Sequence, residues 1–521
     1  VTTAVKAAIF GYNSTLIIDS GTFKALGKGN VVNVEGGTVE ISDGSFTAET
    51  YTALSLKSCD VTISGGTFQG GSSGCAIDAQ PVCSMKISGG FFTGGSYYSL
   101  RTAGDTVFDW LEEGYAYHDE DGNIIKPDKS PYLLQKNNVT VGECSHLWSE
   151  WNVDREGNHN RTCSACDKTE SGAHTFDGNG TCSVCGQQAA AAVTVSGKTD
   201  YYFFMDIAWE AAQGKTAAVK VLQDVNMAGE PLVIEDPGSD ITLEVAEGVT
   251  LLSEKYSNID GELIHVKGGN FTLAGGCVKF ANKGSEHIDG GCTIRVNGGN
   301  VRIEDGLVKT YGSVSGAGNG PAVKVESGSL TILGGKLEQI GYPASGLYVA
   351  GGEAVIEGGE IEGKYRGIYA TGGKTVVKDG TVIARSGAIT GNDANVYGGA
   401  VYVGGGDVTV EGGTIRETGE MYRFSYGIYV DSGSISISGG EISGIRDGIY
   451  LAQSSGGTIR ISGGSFTGDS DYGLQANADQ SDSITLSGGT FTGGWRAILS
   501  ASNKLMTLPE EGYAYYTVEN G

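Results

Sequence analysis

The sequence predicts an all-β chain of two right-handed parallel β-helices, with about 22–30 residues per coil, joined by a small cysteine- and histidine-rich module. One short capping helix is expected near 201–213. Three observations carry this reading. A glycine-punctuated hexapeptide recurs thirteen times, apolar and polar residues alternate around each copy, and cysteine and histidine crowd into one stretch between two blocks of the repeat.

The hexapeptide reads Ile18–Phe23, Ile41–Phe46, Ile63–Phe68 and Ile87–Phe92 in the first block. It returns as Leu273–Val278, Ile303–Val308, Ile332–Leu337, Ile356–Ile361, Val377–Val382, Val410–Ile415, Ile437–Ile442, Ile461–Phe466 and Leu486–Phe491. In Ser434-Ile435-Ser436-Ile437-Ser438 polar and apolar residues alternate, the pattern of a strand with one buried face. Gly439-Gly440 then supplies a corner, and Glu441-Ile442 resumes the alternation in a new direction. Such a unit cannot bury its own apolar side and must stack on its neighbours. Period two excludes a helical solenoid, and a propeller blade needs about 40 residues or more. What remains is a parallel β-helix rising about 4.8 Å per coil.

Composition agrees. Glycine supplies 87 of 521 residues but proline only 8, so neither collagen nor low-complexity disorder fits. A net charge of −26 offers no basic surface for nucleic acid or for an anionic membrane. There is no run of about 18 apolar residues and no signal-peptide pattern. These features predict a soluble piece of a longer protein.

In chain order, residues 1–143 form the first β-helix, expected to lack its first coils because Val1 opens inside one. Leu111–Tyr117 closes it, and Glu510–Tyr515, of similar sequence, closes the second. Residues 144–186 are the module and 187–192 a linker of small residues. The second β-helix fills 193–521; Phe204, Ile207, Ala208 and Ala211 mark the buried stripe of its capping helix.

The module holds Cys144, His146, His159, Cys163, Cys166, His174, Cys182 and Cys185. Two C-x-x-C knuckles with interspersed histidines are the spacing of tetrahedral zinc, because each knuckle sets two thiolates on one ion. One pairing is Cys144, His146, Cys163 and Cys166 for one ion, with His159, His174, Cys182 and Cys185 for another. A single site of four cysteines is the alternative. Either set is full, which makes the zinc structural. Trp148, Trp151 and Phe176 are expected to pack around it. Disulfides compete, but they give the histidines no role. Elsewhere Cys59 and Cys83 should meet in adjacent coils, as free thiols or as a disulfide.

On the second block Tyr348, Tyr369, Tyr402, Tyr429 and Tyr450 occupy equivalent places and should form an outward ladder. Such a ladder either stabilises the sheet by cross-strand stacking or offers a platform to sugar rings.

The GGTF-type coils, the Cys144-Ser-His146-Leu-Trp148 entry and the His174-Thr-Phe176…Cys182-x-x-Cys185 close resemble modular bacterial surface proteins. In these, pectate-lyase-like β-helix arrays alternate with zinc-ribbon-like modules. The resemblance implies an exported, cell-surface scaffold or adhesin that binds a glycan or a wall or host protein. No catalytic residues are assigned: His118, His265 and His287 lie in no Gly-His-Gly, and Asp469/Asp471 and Asp479/Asp482 read as solvated turns. The alternative is a divergent polysaccharide lyase or glycoside hydrolase of the same fold.

Overall fold

The computed structural model describes residues 2–3, 6–80, 83–95, 98–104, 106–126, 133–134, 137–166, 168–255, 261–282, 291–312, 320–341, 345–385, 398–419, 425–452, 456–476, 483–500, 509–512 and 514. His287, Asp479, Asp482, Tyr513 and Tyr515 lie outside them. The chain is an all-β parallel solenoid with one short α-helix. It divides into two compact units, Val1–His174 and Thr175–Gly521.

In the first unit the repeats stack in parallel and in register. Ile18 faces Ile41, Ile41 faces Ile63, and Ile63 faces Ile87. The aromatic that ends each hexapeptide does the same, Phe23 on Phe46, Phe46 on Phe68 and Phe68 on Phe92. Their rings stack with centroids 4.9–5.1 Å apart and planes within 11°. Phe46, Phe68 and Phe92 are wholly buried, each contributing about 1.5–3 kcal/mol through burial alone.

The array ends on antiparallel pairing: Asn138–Glu143 lies against both Gly90–Thr93 of the last coil and Tyr115–His118. This removes an open parallel edge. Leu111 bridges to Ile87 in parallel, and in the second unit Pro509 bridges to Leu486 in the same way. The two segments read as closures therefore meet the last hexapeptide of each block at the same position.

The second unit holds, among the described residues, a 20-stranded and an 11-stranded sheet. The first apolar residue of each repeat stacks on the next, from Leu273 through Ile303, Ile332, Ile356, Val377, Val410, Ile437 and Ile461 to Leu486. Glycine is required at the corner between them. Gly440 has φ +94°, and a Cβ on Gly439 would lie 2.2 Å from the Glu411 carbonyl one coil away.

Helix α1 (Met205–Ala212) covers the start of this unit, but by a different face from the expected one. Met205, Ala208, Trp209 and Ala212 are buried, whereas Phe204, Ile207 and Ala211 are only half-buried. Trp209 decides the rotation: its indole enters the core and its Nε1 donates to the Val233 carbonyl at 2.9 Å. The expected linker is also absorbed into structure. Ala189 to Ala192 are buried, and a strand begins at Ala191.

Candidate metal centre and the tyrosine row

Within the first unit, a three-stranded antiparallel sheet (Asn152–Val153, Asn158–Thr162, Thr169–Ala173) carries the centre of the module. The chain before it turns sharply at His146, which has φ +53°. That turn brings the Cys144-x-His146 arm onto the Cys163-x-x-Cys166 knuckle. Sγ of Cys144 and Cys163 are 3.5 Å apart, and Sγ of Cys166 is 3.3 Å from Nδ1 of His146. The ligand atoms of these four residues all lie within 4.8 Å of one another.

Backbone amides complete the cradle. His146 N–H points at Cys144 Sγ (3.3 Å), and the N–H groups of Leu147 and Ala165 point at Cys163 Sγ (3.2 and 3.4 Å). Donors aimed at sulfur favour thiolate. Burial raises the Cys163 thiol, but the Ala165 amide, His146 and the neighbouring thiols outweigh it and bring it down to about 6. Burial pushes Cys166 up to about 12, with Cys144 and Cys163 acting in the same direction. Three sulfurs and one imidazole nitrogen can hold a metal ion, and soft ligands in this number suit zinc.

Also in the first unit, Nδ1 of His159 lies 3.4 Å from Nδ1 of His174; Cys182 and Cys185 belong to the second unit. The first group is one half of the pairing read from spacing. Trp148 packs against His146 (4.8 Å) and Trp151 against His159 (4.7 Å), while Phe176 instead meets Tyr201 and Phe203. Cys59 and Cys83 are neighbours in adjacent coils, with Cys59 N–H 3.5 Å from Cys83 Sγ, and both are free thiols.

Tyr348, Tyr369, Tyr402, Tyr429 and Tyr450 do stand in register in successive coils. Centroids are 4.9–5.4 Å apart along the row. Three of the four contacts are stacked, with planes 16–21° apart. At the fourth the planes turn to 79°, and the Arg366 guanidinium lies 4.4 Å from both Tyr369 and Tyr402. Rings packed this way cover one another's faces. Tyr429 is only 3 % exposed, so it does not point outward into solvent. The geometry is that of cross-strand stacking and cation–π packing.

The row continues where sequence reasoning assigned nothing. Tyr348 pairs with Lys324, Lys324 with Arg295, and Arg295 with His265. These side chains are largely withdrawn from solvent and linked: His265 Nδ1 lies 2.9 Å from Glu262, Arg295 Nε 3.5 Å from Glu262, and Lys324 Nζ 2.6 Å from Glu326. Burial lowers the His265 imidazole below its ordinary range against the pull of Glu262. The signal was present in the spacing. His265, Arg295, Lys324 and Tyr348 each stand eight residues before the start of their hexapeptide, as do Tyr369, Tyr402 and Tyr429.

Residues 321–491 match the family model of a right handed beta helix region. No curated protein and no solved structure matches the chain.

Proposed function

We propose that the chain is part of an exported, cell-surface scaffold of adhesin type: two β-helices, 1–143 and 193–521, bracketing a zinc-ribbon-like module. It presents a binding face to a glycan or to a wall or host protein. The observation that carries this reading is the way outer side chains are spent on one another from coil to coil. Tyrosines stack on tyrosines, and Lys57–Glu35, Lys220–Glu244, Lys374–Glu353 and Lys378–Glu357 pair across adjacent coils at 2.6–2.9 Å. Such pairing stiffens a support rather than shaping a reaction cleft.

In this reading zinc holds the module together. Cys144, His146, Cys163 and Cys166 would form one closed set, and the sequence spacing assigns His159, His174, Cys182 and Cys185 to another, with no position left for a reacting water. A segment this small gains much of its folding free energy from the ion. The competing reading, a divergent polysaccharide lyase or hydrolase, is favoured by one feature, the withdrawn Glu262–His265–Arg295 group.

The test is to incubate the purified chain with isolated cell-wall sacculi and a soluble polysaccharide panel. Co-sedimentation or retention without new reducing ends or unsaturated products supports the scaffold. Product release that disappears in His265→Ala establishes the enzyme instead.

A further inference from the structure

We propose that the outer corner of the last coils carries a binding subsite for a neutral polysaccharide, built on Trp495 with Asp471 and Arg446 beside it. This rests on the glycan-presenting reading above and gives it a location that the tyrosine row does not provide.

The corner is rigid. In three coils the backbone folds so tightly against itself that only glycine fits. A Cβ would lie 2.1 Å from the Asp447 carbonyl on Gly444, 2.0 Å from that of Tyr472 on Gly468, and 1.9 Å from that of Arg496 on Gly493. The turn residues that follow are tied coil to coil: Asp471 N–H donates to the Arg446 carbonyl (3.1 Å) and Trp495 N–H to the Asp471 carbonyl (3.0 Å). A guanidinium, a carboxylate and an indole therefore stand in consecutive coils, about 4.8 Å apart, on a frame that cannot relax away from them.

Their environments differ from those of the tyrosine row. Trp495 is 66 % exposed. Its ring meets Tyr472, with centroids 5.5 Å apart and planes inclined at 39°, and the Arg496 guanidinium lies over it at 5.1 Å. The exposure of two thirds of the residue leaves aromatic surface open to a ligand. Asp471 Oδ2 accepts from Arg446 Nε at 3.0 Å, and Arg446 also donates to the Tyr426 hydroxyl at 3.3 Å. Behind them Asp447 is fully buried, and its Oδ2 accepts no hydrogen bond.

An exposed indole suits the C–H face of a pyranose, and a fixed carboxylate–guanidinium pair suits adjacent hydroxyls, which both accept and donate. The pair is neutral overall, and the chain carries a net charge of −26 that repels polyanions. A neutral chain running along the coils would place one sugar on Trp495 and the next at Asp471 and Arg446.

The experiment is affinity electrophoresis of the full chain in gels containing a soluble β-glucan, xylan, mannan or, as the charged comparator, polygalacturonate. At least one neutral polymer is expected to retard the wild type more than polygalacturonate does. Trp495→Ala should weaken that retardation at least roughly tenfold. Trp495→Tyr should restore part of it, Asp471→Asn should reduce it, and Tyr348→Ala should leave it unchanged. An unshifted thermal midpoint of Trp495→Ala confirms that its fold is intact. Retardation that survives Trp495→Ala overturns the subsite and leaves the glycan reading standing. A wild type retarded by none of the neutral polymers also overturns it, while sacculus binding decides the scaffold reading separately.

Discussion

Nδ1 of His146 stands 3.3 Å from Sγ of Cys166, although twenty residues separate them in the chain. The contact closes the Cys144 arm over the Cys163 knuckle. It exists because His146 adopts φ +53°, a backbone conformation that costs a non-glycine residue about 1 kcal/mol or more. A bond from His146 to a metal ion would offset such strain.

The purified chain is accordingly expected to carry two equivalents of zinc, measured by inductively coupled plasma mass spectrometry. Cys163→Ser should lose at least one. A wild type with no metal and fewer than ten titratable thiols would replace the zinc account with disulfides.

The phenylalanine stack makes a stability prediction. Phe46→Ala removes a wholly buried ring held between Phe23 and Phe68, and should cost about 3–5 kcal/mol in denaturant unfolding of the first unit. Tyr12→Ala, at a side chain 64 % exposed, should change stability by about 0.5 kcal/mol or less.

A glycine pair tests the corners. Gly444→Ala forces a Cβ to 2.1 Å from a carbonyl oxygen and should destabilise by about 3 kcal/mol. Gly275→Ala, with nothing within 4 Å of the new methyl, should be close to neutral. Equal effects would mean that the corners are not as tight as described.

Asp447 predicts a pH dependence. Burial, opposed by Arg446 and by the Tyr472 amide, raises its carboxyl to about 7. Below pH ~4 the group is protonated folded and unfolded, so it costs nothing. Between ~4 and 7 the unfolded chain ionises while the folded chain keeps its proton, so stability falls as pH rises. Asp447→Asn should flatten this slope and raise the melting temperature at pH 8 more than at pH 4. An identical slope in wild type and variant would contradict the assignment.

Most of the solenoid was legible because its cause is local. The alternation around Ile437 and the Gly439-Gly440 corner each state a strand and a turn, and the recurrence of the copies at intervals of 21–33 residues within each block states the stacking. The candidate metal cluster of Cys144, His146, Cys163 and Cys166 was legible for the same reason, since knuckle spacing is short-range. What spacing could not show was which side of a short helix meets the core: a stripe through Phe204 and Ile207 is as regular as one through Met205 and Trp209, and the fit of one indole chose between them. Nor could alternation distinguish an outward tyrosine from a buried one. Tyr429 and Tyr348 occupy equivalent positions, yet Tyr426, from the corner of the same coil as Tyr429, packs 5.4 Å from the Tyr429 ring. The withdrawn charges from Glu262 to Glu326 were missed because no motif names them. They become a group only when coils are laid in register.

That register is the central claim, and cross-linking tests it most directly. Ser436 pairs with Arg460, and Arg460 with Thr485, on exposed or half-buried positions of three successive coils. Under mild oxidation Ser436→Cys/Arg460→Cys should form a disulfide, found by peptide mapping. Ser436→Cys/Thr485→Cys, two coils or about 9.6 Å apart, should not. A bridge in the second pair, or none in the first, would contradict the parallel in-register ladder.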